Sequence, residues 1–528
     1  MNKRWRTGLL AIGTAAAVIF CLPGLAEAQG VSVNSFLNWN FLGGGARARG
    51  MGGAYLGVSD DGNAASWNPA GLIYNEGVLI TLNYSSVRFS LDLDNAAFGL
   101  PKTPKSGEAT LSNMPSAALV APLTIMGQEF MLSAFYNRLQ QGFTQSEFFA
   151  DVDPYLGSPF RAQIGLNSNI GTVGGAFGTA ITDHLSIGGS VNIATGDGIE
   201  WYHLELDSLR FPDPKDEHNE NVTWTTNSDI DYGGLFLKFG ALYRSDRWSA
   251  GAIIEPGWTL TQNLDFRSRQ VTVNSEVMAI LPKPDGIYGP LDGTDREIDI
   301  PLTIGLGGSY YVTEKLLIAA DYQFRGFHAN STSESSDGSS GFRTQSEPAN
   351  PESDLESLPV DWYSLHQIRL GAEYRHEASW GIVPFRLGVR NEPMLIGQDG
   401  GADIYFDQRL WYEETAEFPY FIPRTVWFQN GDQINGWVVT FGSGIEWSRV
   451  AFDVALEYST FSYNEAGTLN MISRCPDCDR TIDPDVSTPG EGEGKDSYGK
   501  RKTYRWGAYE RLYDSSRLQL MVNFTGHF

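Results

Sequence analysis

The sequence predicts an all-β chain: a transmembrane antiparallel β-barrel of about 14 strands with an N-terminal segment folded into its lumen as a hatch. Three observations predict it. Apolar and polar residues alternate strictly in many stretches between Gly77 and Phe528, short and long connections between those stretches take turns, and a glycine-rich segment that fits neither pattern precedes the first strand.

Alternation with a period of two gives a strand two unlike faces. Near the C-terminus Leu518, Leu520, Val522, Phe524 and Phe528 share one face, and Arg517, Gln519, Asn523, Thr525 and His527 the other. Val450, Phe452, Val454, Leu456 and Tyr458 alternate with Ala451, Asp453, Ala455, Glu457 and Ser459. The same holds for Leu316 to Arg325, Ile368 to Arg375 and Leu235 to Arg244.

A soluble sandwich alternates too, so the connections decide. Tight turns are expected at Pro122 to Gly127, Thr182-Asp183, Ser245-Asp246, Thr313-Glu314, His376 to Gly381 and Ser448-Arg449. Long polar segments are expected to begin near Leu91, Gln141, Gly196, Thr261, His328, Glu392 and Asn464. Six hairpins, an opening strand from Gly77 to Ser90 and a closing strand from Arg517 to Phe528 make about 14 strands, with 12 or 16 left open by uncertain ends, flanked by short turns on one side and long loops on the other. Trp437 and Trp447 share one face of one strand. At about 3.3 Å per residue and a tilt near 40° they stand about 25 Å apart along the membrane normal, the height of an apolar band between two aromatic girdles. Phe528 adds an aromatic terminus of the kind that barrel assembly machinery recognises.

The chain of 528 residues carries 38 Lys plus Arg against 63 Asp plus Glu, and its net charge of -25 excludes the phosphate-neutralising surplus that nucleic acid requires. Residues 1–28 read as a signal peptide. Lys3, Arg4 and Arg6 precede an apolar run from Gly8 to Leu22, and Ala26-Glu27-Ala28 ends it as a small-x-small cleavage site. Cys21 would carry a lipid in a lipoprotein, but Val18-Ile19-Phe20 before it lacks the small residue that signal needs. No later run is apolar for the roughly 18 to 20 residues of a spanning helix. The expected location is the bacterial outer membrane, as an integral barrel over residues 77–528.

Residues 29–76 form the expected hatch. They contain Gly43-Gly44-Gly45, then Arg47-Ala48-Arg49-Gly50-Met51-Gly52-Gly53-Ala54, and Asp60-Asp61-Gly62-Asn63-Ala64-Ala65-Ser66-Trp67-Asn68-Pro69-Ala70-Gly71-Leu72. Glycines at this density allow tight turns and close packing in a confined space. Asn68 before Pro69 is a turn or helix-start signal, and Asp60-Asp61-Gly62 suits a turn, without the spaced ligands of a calcium loop. These residues resemble the FadL/TodX family of outer-membrane transporters for long-chain fatty acids and aromatic hydrocarbons, whose mature chains open with an RxxGMGGA stretch followed by DDxxAxxxNPAGL. The resemblance implies a 14-stranded barrel closed by a hatch, with Asn68-Pro69-Ala70 in that hatch near a lateral gap made by a kinked strand. The third strand, Gln128 to Gln140, holds no Gly or Pro to mark such a kink, although a β-bulge needs neither.

No G-x-S-x-G elbow, H-E-x-x-H helix or phosphate-binding glycine loop occurs, so neither enzyme nor cofactor is expected. Cys475 and Cys478 supply two ligands where structural zinc needs four, and a local disulfide is the expectation in an exported protein. Inward Arg369, Arg375, Arg386, Arg390, Asp453 and Glu457 either pair across the lumen or hold a ligand carboxylate. The expected function is passive transport of hydrophobic small molecules by a protein embedded in outer-membrane lipid, monomeric by preference. Asn68, Pro69 and Ala70 are the expected gate, with Phe36, Leu37, Phe41, Leu42 and Met51 as contacts. The alternative is an accessory or interaction protein of a secretion system. Mass analysis of protein purified from membranes is expected to find Gln29 as the first residue; a lipidated Cys21 would contradict it.

Overall fold

The structure, a computed structural model, describes residues 40–97, 103–150, 160–210, 219–273, 276–281, 294–327, 342–345, 363–398, 401–409, 420–428, 431–474, 495–496 and 499–528. The signal peptide, Phe36, Leu37, Cys475 and Cys478 lie outside the described residues.

Fourteen antiparallel strands close into one barrel. They are β1 (Leu79–Ala97), β2 (Thr103–Asn113, resuming as Ser116–Ile125), β3 (Gln128–Ala150), β4 (Phe160–Ala180), β5 (Leu185–Arg210), β6 (Asn219–Arg244) and β7 (Trp248–Glu255, resuming as Trp258–Val273). They continue with β8 (Thr294–Ile300, resuming as Thr303–Thr313), β9 (Leu316–Arg325), β10 (Leu365–Ala378), β11 (Gly381–Gly397), β12 (Gln433–Glu446), β13 (Val450–Arg474) and β14 (Gly499–His527). Pairing from Leu79↔His527 to Ala97↔Tyr509 joins β1 to β14 and closes the wall.

All six tight turns fall where the alternation puts them. The long connections do not. Segments expected to leave the sheet near Leu91, Gln141, Thr261 and Asn464 stay paired, so that β1 reaches Ala97, β3 Ala150, β7 Val273 and β13 Arg474, while the extended runs that the sequence shows at Ile199 to Leu209 and Val222 to Ile230 do lie in β5 and β6. The reason is physical: beyond the bilayer both faces of a strand meet water, so the hydropathy alternation fades while the hydrogen-bond ladder continues.

The two faces are inverted relative to a soluble protein. Leu119, Phe177, Val191, Leu237, Leu306, Ile318, Leu370, Leu387, Val439, Phe441, Leu456 and Leu520 point outward and are exposed, forming an apolar belt around the barrel. Trp437 and Trp447 stand exposed toward its two edges. Arg369, Arg386, Arg390, Glu373, Asp453 and Glu457 are buried in the lumen. Charges inside and an exposed apolar belt outside make this an integral outer-membrane barrel.

The wall is irregular at one height. β2 breaks at Met114-Pro115, β7 at Pro256-Gly257, β8 at Pro301-Leu302, and the β11–β12 register slips after Pro393. β3 slips against β4 between Arg138 and Gln140, which leaves Leu139 as a bulge. The third strand therefore carries its irregularity without Gly or Pro, and the proline sits in its neighbour. Above this level Thr103–Asn113 pairs only with β1, and the upper part of β3 only with β4; no pairing among the described residues joins the two.

Outward and inward positions on one strand should respond differently to charge. Val439→Arg is expected to destabilise the inserted barrel by about 2 to 4 kcal/mol, the cost of arginine on the lipid face near the midplane. Urea titration of protein folded into vesicles measures it, and an unchanged midpoint would place β12 outside the bilayer.

Candidate functional site

The N-terminal segment occupies the lower lumen. Helix α1 (Ala46–Gly50) and helix α2 (Ala64–Trp67) are joined by a glycine turn, with Gly52 and Gly53 at φ of +68° and +81°, a region that side chains with a Cβ avoid. At Gly52 a Cβ would also meet the backbone of Val389 and Leu370 in the wall, so the Gly-Met-Gly-Gly stretch is what lets the segment lie flat against β10 and β11.

Asn68 acts as the sequence suggests and then does more. Its Oδ1 accepts from Ala70 N at 3.2 Å, opening a 3-10 turn over Pro69–Tyr74, while its Nδ2 donates to Leu56 O and to Ala241 O in β6 at 3.0 and 3.1 Å. Asn68-Pro69-Ala70 is thereby fixed against β5, β6 and β7, where Gly188, Gly240 and Gly251 leave room for it. Among the described residues the side-chain hydrogen bonds of Asn68 go to Leu56, Ala70 and β6 and not to the β2–β3 interruption. There the segment presents Leu42 and Gly44, with Asn137 Nδ2 donating to Leu42 O at 3.3 Å and Gly44 packed on Ser116. Asp61 Oδ1 accepts from Asn63 N at 2.8 Å, the local turn that Asp60-Asp61-Gly62 suggests.

Charge holds the segment in place. Arg47 donates to both oxygens of Glu373 at 3.0 Å and to Asp60 at 2.6 Å. Arg49 makes a bidentate pair with Glu457 at 2.5 and 2.6 Å. The wall completes the lattice: Arg386 bridges Glu373 and Asp453 at 2.6 and 2.7 Å, Arg390 bridges Glu457 and Glu392 at 2.8 and 2.9 Å, and Arg517 reaches Glu392 at 2.8 Å. Asp321 accepts from Tyr55 N and Leu56 N at 2.7 and 2.9 Å. The lumenal charges flagged by the sequence are thus paired, Arg375 with Glu446 at 2.6 Å among them. Burial alone would raise the Asp60 carboxyl, yet the Arg47 and Arg244 guanidiniums beside it hold it below its ordinary value; burial raises Asp61.

Above this lattice the lumen changes character. Ile170, Ala194, Phe236, Trp258, Leu260, Ile298, Ile300, Leu365, Met394, Ile434 and Phe461 form a buried apolar cluster drawn from strands around the barrel, with Phe41 and Leu139 packed against it. These positions sit roughly 9 to 16 residues from the short turns, where the paired charges of β10 to β13 sit roughly 4 to 12; at about 3.3 Å per residue the cluster is centred higher and adjoins the charges at Glu392. The two layers meet at a cavity of about 30 Å³, room for one water-sized group. Its lining includes Phe41, Leu42 and Trp67 from the N-terminal segment, and Leu139, Phe236, Lys238, Glu255 and Arg325 from the wall. Lys238 lies 3.5 Å from Glu255 and donates to Ser66 O at 3.0 Å, and the Arg325 guanidinium stacks 4.5 Å over the Phe41 ring.

Of the residues chosen from sequence, Phe41 and Leu42 meet at this cavity. Met51 and Asn68 to Ala70 are buried lower, in contacts with the wall. Sequence reasoning missed Trp67, Leu139, Phe236, Lys238 and Arg325. A signal for Phe236 was present, because Leu235-Phe236-Leu237 is apolar on both faces in a strand that otherwise alternates.

The fold and its contents define a class: a 14-stranded outer-membrane barrel whose lower lumen is filled by its own N-terminal segment. No protein-family model matches the chain, and no curated protein is similar to it in sequence. Solved structures are similar. A Pseudomonas aeruginosa FadL homologue aligns over 92% of this chain and 99% of its own, with 13% identity and a TM-score of 0.55. The Pseudomonas putida toluene transporter TodX aligns over 93% and 99%, with 15% identity and a TM-score of 0.47. The fold is that of the FadL homologue.

Two substitutions test the lattice. Glu457→Gln leaves Arg49 and Arg390 facing a neutral amide and is expected to cost about 3 to 5 kcal/mol, the penalty for stranding a buried charge. Because the folded Asp60 carboxyl titrates below its ordinary value, its contribution is complete above that value and disappears as pH falls through the folded one. Acid should therefore free the segment only below the usual carboxylate range, and Asp60→Asn should remove that part of the pH response. Protease sensitivity of Arg47 and Arg49 in the folded barrel reads both.

Proposed function

We propose that this protein is a passive outer-membrane transporter of hydrophobic small molecules such as long-chain fatty acids or aromatic hydrocarbons, with residues 29–76 as its hatch. The observation that carries the reading is the apolar cluster in the upper lumen, floored by Phe41 and Leu42 and reaching Leu139 at the β2–β3 interruption. Water-filled porins have polar lumens, and a buried greasy chamber has no use in them. A lumen of paired charges from end to end would favour the interaction-protein alternative; here, among the described residues, most of the lumenal ion pairs lie in the layer that the N-terminal segment occupies.

The chamber is filled by its own side chains, so a ligand enters by displacing Phe41, Leu42 or Phe236. Each methylene it buries contributes about 0.8 kcal/mol, so capture should tighten roughly fourfold per carbon until the chamber is full. Lys238 and Arg325 at the floor are engaged with Glu255 and Thr303, so a carboxylate head binds there by exchanging with Glu255, which favours fatty acids over plain hydrocarbons. The Asn68 bonds to Leu56 and Ala241 then set how firmly the hatch is seated, and Asn68, Pro69 and Ala70 gate permeation through that seating while Met51 holds the hatch to the wall.

The test is uptake of radiolabelled solutes in a host lacking its own transporter. Wild type should exceed empty vector for long-chain fatty acids and not for sugars. Asn68→Ala with Pro69→Ala should change fatty-acid uptake with folded barrel levels unaltered. Equal uptake by wild type and empty vector for every apolar solute would overturn the reading.

A further inference from the structure

The wall has a second discontinuity, between β6 and β7, and it lies beside the chamber. Below it the two strands pair from Arg244↔Ser249 to Phe239↔Ile254. Above it they pair from Gly233↔Thr261 to Val222↔Val273. Between these ladders residues 234–238 and 255–260 are not paired with each other, although 234–238 stay paired with β5 and Glu255 and Trp258–Leu260 with β8; the partner numbering slips by one across the interval, so β7 carries an extra residue. Pro256 contributes no N–H, and β8 opposite it breaks at Pro301-Leu302, so Pro256-Gly257 is unpaired on both sides. This stretch lies within the apolar belt: Leu235 and Leu237 are 62% and 40% exposed, Ile254 and Leu302 are exposed, and so are Pro256 and Gly257. In a bilayer an interval of unpaired backbone is unfavourable and is ordinarily avoided.

On the lumenal side, one pair of rings covers the interval. Phe236 and Trp258 stack with centroids 4.6 Å apart and planes 18° apart, both buried. Phe236 lines the cavity at the chamber floor, together with Lys238 and Glu255 of the same interval. Trp258 Nε1 is buried and finds no acceptor among the described residues. A strand break in the lipid belt, a stacked ring pair behind it and an indole donor in that pair without an acceptor among the described residues coincide at one place. We propose that the β6–β7 interval is a side port between chamber and bilayer, closed in this structure by the Phe236–Trp258 pair, and that it takes elongated apolar molecules bearing a hydrogen-bond acceptor. Turning the Trp258 ring aside joins the chamber to the lipid between Leu235 and Pro256, and the acceptor satisfies Nε1 as the molecule passes. The proposal rests on the transport reading above and adds a route that is separate from the β2–β3 interruption.

A reversible lock tests it. Leu235 and Thr259 continue the outward faces of β6 and β7 across the interval. Leu235→Cys with Thr259→Cys, in a Cys475→Ser, Cys478→Ser parent, places a disulfide there; gel mobility verifies the cross-link, and heat-modifiable migration verifies the folded barrel. The expected result is that the oxidised protein loses most of its uptake of a radiolabelled long-chain fatty acid and regains it on reduction. Uptake at the parent rate with the cross-link formed would overturn the port. Trp258→Ala is the second arm and is expected to raise uptake with the same barrel yield, while Trp258→Phe, which keeps the ring and loses the donor, should slow the fatty acid and spare a hydrocarbon of equal length. Unchanged rates in both variants would also overturn it. A parent no better than empty vector would instead sink the transport reading on which the port rests.

Discussion

The constraint on which everything else depends is the absence of water inside the bilayer. Every backbone N–H and C=O of a spanning strand has to find a partner in the next strand, and the first strand has to find the last. The pairing of β1 with β14 over Leu79↔His527 to Ala97↔Tyr509 meets that requirement. Closure then dictates the rest. A sheet bent into a circle has an inside too wide for its own side chains to fill, and the chain fills it with its N-terminal segment below and an apolar cluster above.

Filling a polar lumen with protein raises a second problem, because buried charges must be matched. The solution here alternates sign from atom to atom: Asp60, Arg47, Glu373, Arg386 and Asp453 in one chain, and Arg49, Glu457, Arg390, Glu392 and Arg517 in another. Each chain draws one or two members from the N-terminal segment and the rest from β10 to β14. The lattice therefore specifies how the segment sits as much as it stabilises it, since a shifted or rotated segment would face like charges.

Much of this was legible in the sequence. The strand count and the six turns followed from period-two alternation, which lipid on one side and lumen on the other enforce over the membrane's thickness. Asn68 and Pro69 announced their turn because capping chemistry is local. The long strands were not legible past Leu91, Gln141 or Asn464, where both faces turn polar. The chamber was missed for a different reason. Phe236, Trp258, Leu260, Ile298 and Ile434 come from strands far apart in the chain, and nothing short of the closed register sets them at one height. Arg47 and Arg49 stood in a recognised motif, but their partners Glu373 and Glu457 lie more than three hundred residues away.

The prolines of the wall lead further. Pro115, Pro256, Pro301 and Pro393 lie in β2, β7, β8 and β11 at similar distances from their short turns, and the Leu139 bulge shares that height. Each removes a donor or shifts a register, so the cylinder has a compliant waist there. Mechanically it is two stacked rings. The lower ring is braced by the N-terminal segment, which bonds β6 through Asn68 and β10 and β13 through Arg47 and Arg49, and holds its circular section. The upper ring holds mostly apolar side chains among the described residues, with no comparable ion-pair brace, and can flatten into an oval without straining the one below. The upper part of the wall can thus change shape while the lower part keeps its section.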